Sequence, residues 1–373
     1  MRKVSFFSLN RFGGAKSYRS IGFYPYIMWL FFLYVFLCGT YCTADISCRN
    51  EAGNPVDWFI IYKLPQFKIG SVGTGLDYMY LDSSMKTWQM SKFLVNDSNG
   101  ALGNTLKLLY DGKGYKSNRS AYVFYNDAPP LLKYSNRYGH TKGVLLFNES
   151  QGLWLIHSVP HFPAFPENGY AWPSSGRQNG QTVLCVTYKY QQIPSIAQQL
   201  LYYNPRVYNC SLPTAFQPDL ASLVILCQGS KMPWVSDKNL EKLTSANGES
   251  FLSFAKSRFW IDDIYTGWVA QMLKVDLLTE TWQRKEHELP SNCSLPKHTL
   301  NIRRIKLPGP VLFYSHFDHS KWCVSKAYES QWTCLGDLNR EDSQAWKSGG
   351  LVCSQNPTIY QAFRQAVSWY IGC

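Results

Sequence analysis

The N-terminus constrains this chain of 373 residues most, because it decides in which compartment the rest must fold. An apolar block, residues 27–37 (IMWLFFLYVFL), follows a leader that has five basic residues and no acidic one. The small residues Cys42-Thr43-Ala44 come next at a position suited to cleavage, so we predict a signal peptide over residues 1–44. An uncleaved signal anchor is the alternative, but the block is shorter than the ~20 apolar residues that a spanning helix needs. Since no second run of that length follows, we expect no stable membrane span after cleavage.

Cysteines and glycosylation sequons agree with export. Nine of the eleven cysteines lie after the leader, which predicts up to four disulfides with one thiol left over. No pair has CxxC spacing, so the sequence gives little support to a zinc ribbon or a thioredoxin-type site. Five Asn-x-Ser sequons are present, at Asn96, Asn118, Asn148, Asn209 and Asn292. We therefore predict an oxidising compartment, with the protein lysosomal or secreted.

Composition describes an ordinary globular protein, with 45% hydrophobic and 17% charged residues. The formal net charge is +12 for the whole chain and +7 once the five basic leader residues are removed. A positive charge suits a polyanion such as nucleic acid, although it also suits an anionic membrane or simple solubility. The aromatic fraction of 16% can serve core packing or stacking on bases, and core packing is the default expectation.

Both halves of the mature chain mix strand and helix patterns, which predicts an α/β fold of the mixed α+β kind. The first half contains a buried strand, a β-hairpin and a helix, at residues 57–62, 142–159 and 193–203. A mixed, proline-containing stretch after residue 204 marks the predicted boundary between two lobes, residues 45–204 and 205–373.

The second half contains strand-like patterns and closes with an amphipathic helix. The strand patterns lie around residues 319–324 and 331–335. Asn356 is the expected N-cap of the helix and Pro357 its first residue. The predicted apolar face of this helix comprises Ile359, Phe363, Val367 and Tyr370.

A His-x-Lys pair occurs once in each half: His140 with Lys142, and His319 with Lys321. On a strand, residues i and i+2 point to the same face, so each histidine is expected beside its lysine. Imidazole can act as nucleophile or as acid and base, and an ammonium can hold a phosphate oxygen. Two such pairs, face to face, would form a phosphodiesterase site that needs no metal. One pair alone would be incidental, and two still leave coincidence open, so the surrounding residues must decide.

Those surrounding residues resemble the deoxyribonuclease II family of the phospholipase D superfamily, from Cys48 to Cys373. The matching blocks, in order, are PVDWF (55–59), YKLP (62–65), YND (125–127), GHTKGV (139–144), WLIHSVP (154–160), GQT (180–182), SNCS (291–294), DHSKW (318–322) and GDLNR (336–340). The resemblance implies a pseudo-twofold pair of lobes, each a β-sheet flanked by helices, with one active-site cleft between them. It also implies hydrolysis of DNA to 3′-phosphate and 5′-hydroxyl ends in acid, without divalent metal or another cofactor.

The resemblance assigns chemical roles to the two pairs. His140 is expected to attack phosphorus and form a phosphohistidine, while His319 protonates the leaving oxygen and then activates water; the reverse assignment stays open. Lys142 and Lys321 are expected to stabilise charge on the phosphoryl group.

Two asparagines complete the predicted site as substrate-binding residues. Asn339 follows the second pair where the superfamily places a polar residue of the phosphate site. Asn148 stands shortly after the first lysine, where members of the family usually carry an acid. It also opens a sequon, and a glycosylated Asn148 would lie on the surface.

The remaining histidines and cysteines have simpler expected roles. His157 and His161 could suggest a metal, but Pro160 breaks helical spacing and no HExxH glutamate is present, so no metal site is predicted. His157 is expected to pack under the first pair and orient it. The resemblance implies the disulfides Cys48–Cys185, Cys293–Cys373 and Cys334–Cys353, which leaves Cys210 and Cys227 as a local pair. The odd thiol, Cys323, is expected to be buried and inert.

Two alternative functions stay open. A secreted homologue that has lost catalysis, and binds DNA or a host partner, is favoured only by the departure at Asn148. A phosphodiesterase of the same fold acting on lipid or RNA would also suit the charge. Whether the protein forms a homodimer is left open.

Overall fold

The computed structural model describes residues 46–66, 73–111, 114–229, 235–282 and 286–373. The predicted signal peptide lies outside these residues. The strands of the first part of the chain are β1 (Cys48–Arg49), β2 (Pro55–Val56), β3 (Trp58–Lys63), β4 (Tyr78–Asp82), β5 (Gln89–Met90), β6 (Ser120–Asn126), β7 (Lys142–Asn148), β8 (Gln151–His157), β9 (Gln181–Lys189) and β10 (Val207–Ser211). The later strands are β11 (Lys238–Thr244), β12 (Ser250–Lys256), β13 (Leu277–Glu280), β14 (Thr299–Lys306), β15 (Leu312–Tyr314), β16 (Trp322–Ser325), β17 (Thr333–Gly336), β18 (Gly349–Ser354) and β19 (Val367–Ile371). The α-helices are α1 (Ala101–Tyr110), α2 (Ile193–Tyr203), α3 (Ala221–Cys227), α4 (Ala270–Leu273) and α5 (Pro357–Ala366).

The first sheet has eight antiparallel strands in the order β10-β6-β7-β8-β9-β3-β4-β5. Alternate residues of a strand point to opposite faces of the sheet, and here both faces are covered by hydrophobic clusters. Trp58 and Tyr62 of β3 enter the core between the two sheets, whereas Phe59 and Ile61 pack on the outer side with α1. The β7–β8 hairpin matches the sequence prediction.

The second sheet has nine strands in the order β11-β12-β18-β17-β16-β13-β14-β15, with β19 also pairing to β14. Only the β13–β14 pair is parallel among the described strands of this sheet. A π-helical turn, Ile264–Val269, leads into α4 and covers the outer face with Tyr265 and Trp268.

One hydrophobic core fills the space between the two sheets, and residues 45–373 form a single compact unit. Helix α5 lies in this space: Phe363 contacts Tyr62 of β3 at 6.2 Å and Trp322 of β16 at 5.0 Å between ring centroids. Trp88 adds a direct link, since its indole N–H donates to the Ala362 carbonyl at 3.1 Å. The fold is therefore the mixed α/β type that the sequence predicts, built from large antiparallel sheets.

Two details of the structure were not predicted, and the division into lobes after residue 204 stays a prediction. Residues after 204 do not pass at once to the second sheet, because Asn204 caps α2 in a left-handed conformation and the chain turns back to add β10 beside β6. The final helix has the predicted N-cap, with the Asn356 side chain accepting from the amides of Thr358 and Ile359. It ends at Ala366, however, and the following residues form β19 instead of a last helical turn.

Four disulfides are present, at Cys48–Cys185, Cys210–Cys227, Cys293–Cys373 and Cys334–Cys353. This is the predicted pairing, and Cys323 is free and buried as expected. In the described part of the chain, no helix is both long enough and apolar enough to cross a membrane.

Candidate active site

The first His-x-Lys pair lies where the chain enters β7. Lys142 begins this strand and pairs with Asn126 at the end of β6, so the next residue along, Asp127, comes close to it. Lys142 Nζ donates to Asp127 Oδ1 at 2.5 Å, and His140 Nε2 lies 3.9 Å from Asp127 Oδ2. Only the lysine is in the strand, so a shared buried carboxylate, and not strand alternation, brings the two side chains together.

The second pair lies immediately before β16. Lys321 Nζ donates to the backbone carbonyl of His319 and lies 3.2 Å from His319 Nδ1. Trp282 packs against the His319 ring, with ring centroids 4.7 Å apart. The two side chains of this pair therefore contact each other directly.

Each imidazole is held by the sheet to which it does not belong. His140 Nδ1 lies 2.7 Å from the carbonyl of Asp337, after β17, and His319 Nδ1 lies 3.0 Å from the carbonyl of Ser158, after β8. Because a carbonyl only accepts, each Nδ1 must carry a hydrogen, and each Nε2 is then free to take or give a proton. Since Lys321 Nζ and His319 Nδ1 then both carry hydrogens, their 3.2 Å contact is not a hydrogen bond, and the ammonium acts on the ring through its charge.

The same crossing holds the backbone of both histidines. The His140 amide donates to the carbonyl of Ser348, which precedes β18, at 2.9 Å. The His319 amide donates to the carbonyl of Gly180, which precedes β9, at 2.8 Å. Each histidine therefore has two anchors in the opposite sheet.

The charges of the two pairs act on one another. The pKa of His140 is lowered to about 3, first by burial and then by the charges of Lys142 and Lys321, against the effect of Asp127. The pKa of His319 is lowered well below its usual value by burial, by Lys321 and Lys142, and by His140. Each histidine is anchored to segments of the opposite sheet and feels the charges of both lysines, so the four predicted residues lie close together.

This site is largely buried, and its two histidines keep a small exposed fraction. The His140 side chain is 13% exposed and His319 is 7% exposed. The pKa of Lys321 is lowered to about 7 by burial and then by Lys142, which reflects two ammonium groups in a small volume. A concentration of positive charge with restricted solvent access suits a bound phosphate.

Comparison with known proteins identifies the family. The model of the family described as Deoxyribonuclease II matches residues 47–373. The chain belongs to the deoxyribonuclease II family.

Curated relatives extend along most of the chain. Human deoxyribonuclease-2-beta is 51% identical over 344 residues, covering 91% of this chain and 95% of that protein. Deoxyribonuclease-2-alpha of Sus scrofa is 41% identical over 341 residues, covering 88% and 91%. Plancitoxin-1 of Acanthaster planci is 37% identical over 356 residues, covering 91% and 98%.

In this member of the deoxyribonuclease II family, Asn339 lies close to the second pair. Its side-chain oxygen accepts from the backbone amide of Trp282 at 3.3 Å, and Trp282 is the residue that packs on the His319 ring. Asn339 is 5% exposed. It therefore supports the wall of the site beside His319.

Asn148 lies away from the four residues. It is the last of the seven residues of β7, whereas Lys142 is the first, and the six steps between them span about 20 Å. Its side-chain oxygen accepts from the Ser150 amide at 2.9 Å and the Gln151 amide at 3.0 Å, which holds the β7–β8 turn. A phosphate held by Lys142 is out of its reach, so the predicted substrate contact at Asn148 has no geometric support.

The other two histidines of the first half have different surroundings. His157 is buried against Phe162, accepts from the Val159 amide at 3.2 Å through Nδ1, and its Nε2 has no hydrogen-bond partner among the described residues. It makes no hydrogen bond to His140 or Lys142 there, although the charges of Lys142 and Asp127 act on its pKa, and its orienting role stays a prediction. His161 is exposed and contacts Ser175 Oγ at 2.9 Å. Within the described ranges, no cluster of three or more potential ligands could hold a metal.

Sequence reasoning missed the residues that complete the site. Asp127 stands in the quoted YND block, and its position one residue after a strand next to β7 was the available signal. The anchors Ser158, Gly180, Asp337 and Ser348 act through backbone carbonyls, which leave no side-chain signature in a sequence.

Proposed function

We propose that this protein is an acid endodeoxyribonuclease that hydrolyses DNA phosphodiesters to 3′-phosphate and 5′-hydroxyl ends without a divalent metal. The observation that carries the proposal is the crossed anchoring of two His–Lys pairs, one from each sheet, in a buried and positively charged site. Relatives named deoxyribonuclease-2, matched over most of the chain, support DNA as the substrate.

His140 is the proposed nucleophile. Its lowered pKa of about 3 keeps the imidazole neutral near pH 5, and the Nδ1 contact with the Asp337 carbonyl leaves the lone pair on Nε2. Attack forms the phosphorus–Nε2 bond and breaks the bond to the 5′ oxygen, while the 3′ oxygen stays on phosphorus. The product of this step is a phosphohistidine that is still esterified to the 3′ oxygen of the upstream strand, while the downstream strand leaves with a 5′-hydroxyl end.

His319 is the proposed acid and base. It gives its Nε2 proton to the leaving 5′ oxygen, then takes a proton from the water that hydrolyses the phosphohistidine. Because burial and the neighbouring cations lower its pKa, the imidazolium form needs acid, and activity should fall as the pH rises towards neutral. A bound phosphate, being negative, raises this pKa and favours the protonated form in the complex.

Lys142 and Lys321 are the proposed binders of the non-bridging oxygens. Two cations facing one phosphoryl group stabilise the charge that the transition state carries, which is the role a metal plays in other nucleases. Asn339 would keep the site in shape through Trp282.

The proposed architecture is a pseudo-twofold pair of lobes. In both sheets the run of strands beside the His–Lys pair corresponds, β6-β7-β8-β9-β3 in one and β13-β16-β17-β18-β12 in the other. A helix with proline in its first turn follows β9 and β18 alike. The nearly matched order supports two lobes that share one cleft.

A lysosomal or secreted location fits four disulfides and five sequons. Homodimer formation stays open. The alternative of a homologue without catalysis rests on Asn148, which lies at the opposite end of β7 from Lys142.

Plasmid nicking at about pH 5 in EDTA tests the proposal, with wild type compared to His140→Ala and His319→Ala. We expect wild type to nick with 3′-phosphate ends and each variant to lose at least about 100-fold. His161→Ala, an exposed histidine outside the site, is the matched control and should retain activity. Loss of wild-type activity in EDTA would refute metal independence, and full activity in both site variants would refute the assignment.

A further inference from the structure

Two buried lysines outside the His–Lys pairs have matching surroundings. Lys63 ends β3 and its Nζ donates to the carbonyl of Arg177 at 2.8 Å and to that of Asn179. Lys256 ends β12 and its Nζ donates to the carbonyls of Ala345 and Lys347 at 2.8 and 2.7 Å. An ammonium with two carbonyl partners is a strong donor. Here it fixes the end of a short 3-10 helix and the residues that follow it, after Ser174–Gly176 in one sheet and at Asp342–Trp346 in the other.

The register of the two lysines is the same. Lys63 pairs across the sheet with Gln181, and its two carbonyl partners lie four and two residues before Gln181. Lys256 pairs with Gly349, and its partners lie four and two residues before Gly349. Since the spacing repeats in two different sheets, the arrangement is a built feature and not a chance surface contact.

Next to the two carbonyls that each lysine binds lies the carbonyl that anchors a site histidine; we call these segments braced. Gly180, next to Asn179, accepts from the His319 amide, and Ser348, next to Lys347, accepts from the His140 amide. A side chain at Gly180 would come within 2.4 Å of Asp318 Oδ1, so the two segments approach as closely as a glycine permits. Any shift of a braced segment therefore moves the histidine of the other sheet.

We propose that Lys63 and Lys256 are positioning residues, each of which fixes the histidine of the opposite sheet through a braced loop. Lys63 acts on His319 and Lys256 acts on His140. The inference rests on the proposed function for its kinetic consequence, because misplacement of a reacting group by about 1 Å can lower a rate about 100-fold.

Energetics favour positioning over stability as the role of these lysines. Burial lowers the pKa of Lys63 to about 7 and that of Lys256 to about 8, so each charge is unfavourable in the folded protein. Replacing either lysine by methionine removes that penalty but leaves two carbonyls without a donor. The two effects oppose each other, so we expect the melting temperature to change little while the loop moves.

Single-turnover cleavage of two substrates tests the crossed pairing. DNA needs a proton on its leaving oxygen, whereas thymidine 3′-(4-nitrophenyl phosphate) releases a stabilised anion and needs only the nucleophile. Lys63→Met should reproduce the substrate pattern of His319→Ala in a milder form, with DNA cleavage lowered about 10- to 100-fold and the ester affected less. Lys256→Met should reproduce the pattern of His140→Ala, with both substrates affected.

The matched control is Lys189→Met, an exposed lysine at the end of β9, which should cleave both substrates as wild type does. The pairing is independent of which histidine is the nucleophile, because each lysine variant is compared with the histidine it positions. Equal losses on both substrates in Lys63→Met and Lys256→Met, or unchanged DNA cleavage in both, would overturn the proposal.

NMR titration of the imidazoles tests the brace without reference to nuclease activity. Lys63→Met should move the titration of His319 and leave that of His140 unchanged, and Lys256→Met should do the reverse. Identical titration curves in wild type and both variants would overturn the brace, even if cleavage required both histidines. Failure of the proposed function would appear instead as unchanged cleavage in His140→Ala and His319→Ala.

Discussion

The two His–Lys pairs use the same motif and the same crossed carbonyl anchors, but they balance their charge differently. Lys142 is paired with the Asp127 carboxylate, which also lies near His140. Lys321 instead contacts the carbonyl and ring of its own His319, and burial raises the pKa of the two carboxyl groups behind it, Asp318 and Glu280. The difference teaches that geometry is duplicated while the electrostatic environment is not, which gives two identical side chains different proton chemistry.

The largest expected contrast is in stability, between Lys142→Met and Lys321→Met. Removing Lys142 leaves Asp127 buried without its cation, which should cost about 3–5 kcal/mol of unfolding free energy. Lys321 has its pKa lowered to about 7, so below that pH its ammonium destabilises the folded state, and methionine should leave stability unchanged or higher. Urea unfolding at pH 6 measures both variants.

Lys189→Met is the control for an exposed strand-end lysine and should unfold as wild type does. Equal destabilisation by the two site variants would break the comparison, because it would mean that both lysines have equivalent carboxylate partners.

A smaller contrast concerns the two residues whose carbonyls hold the imidazoles, Asp337 and Ser158. Burial raises the pKa of Asp337 to about 8, so between pH 4 and 8 the folded state keeps a proton that the unfolded state has lost. Stability therefore falls as the pH rises through this range, by about 1.4 kcal/mol for each pH unit between the two pKa values. Asp337→Asn keeps the carbonyl anchor and should flatten the dependence of melting temperature on pH. Parallel pH curves for wild type and variant would contradict the raised pKa.

The smallest effect is expected from Cys323→Val. This change places valine two residues after Lys321, as Val144 stands two residues after Lys142. Cys323 and Val144 are both fully buried. A swap of similar volume should change stability by less than about 1.5 kcal/mol and leave DNA cleavage unchanged. Alkylation of the native wild type should be slow, since burial raises the pKa of this thiol. Loss of cleavage in Cys323→Val would assign the thiol a role in the second pair.

Local patterns predicted the elements that depend on local chemistry. The β7–β8 hairpin, the span of α2 and the Asn356 cap of α5 follow from apolar alternation, helical periodicity and a capping side chain. The four residues of the two His–Lys pairs could be proposed from their repetition in the two halves. These features require only information that neighbouring residues carry.

Tertiary pairing decided what the patterns could not. Val367 and Tyr370 continue the helical spacing of α5, yet they form β19 because β14 offers a partner strand. Lys63 and Lys256 look like ordinary strand-end lysines until their carbonyl partners are known. Any residue can supply a backbone carbonyl, so the anchoring of each histidine by the opposite sheet could not be predicted from residue types.

The crossed anchors have a consequence for how such an enzyme is made. The carbonyls that hold His140 come from Asp337 and Ser348, near the end of the chain, so neither half can assemble a working centre during synthesis. A chain that has not yet folded its last strands should therefore lack a working centre. Nuclease activity should appear only when the last strands have docked, so completion of the fold itself controls activation.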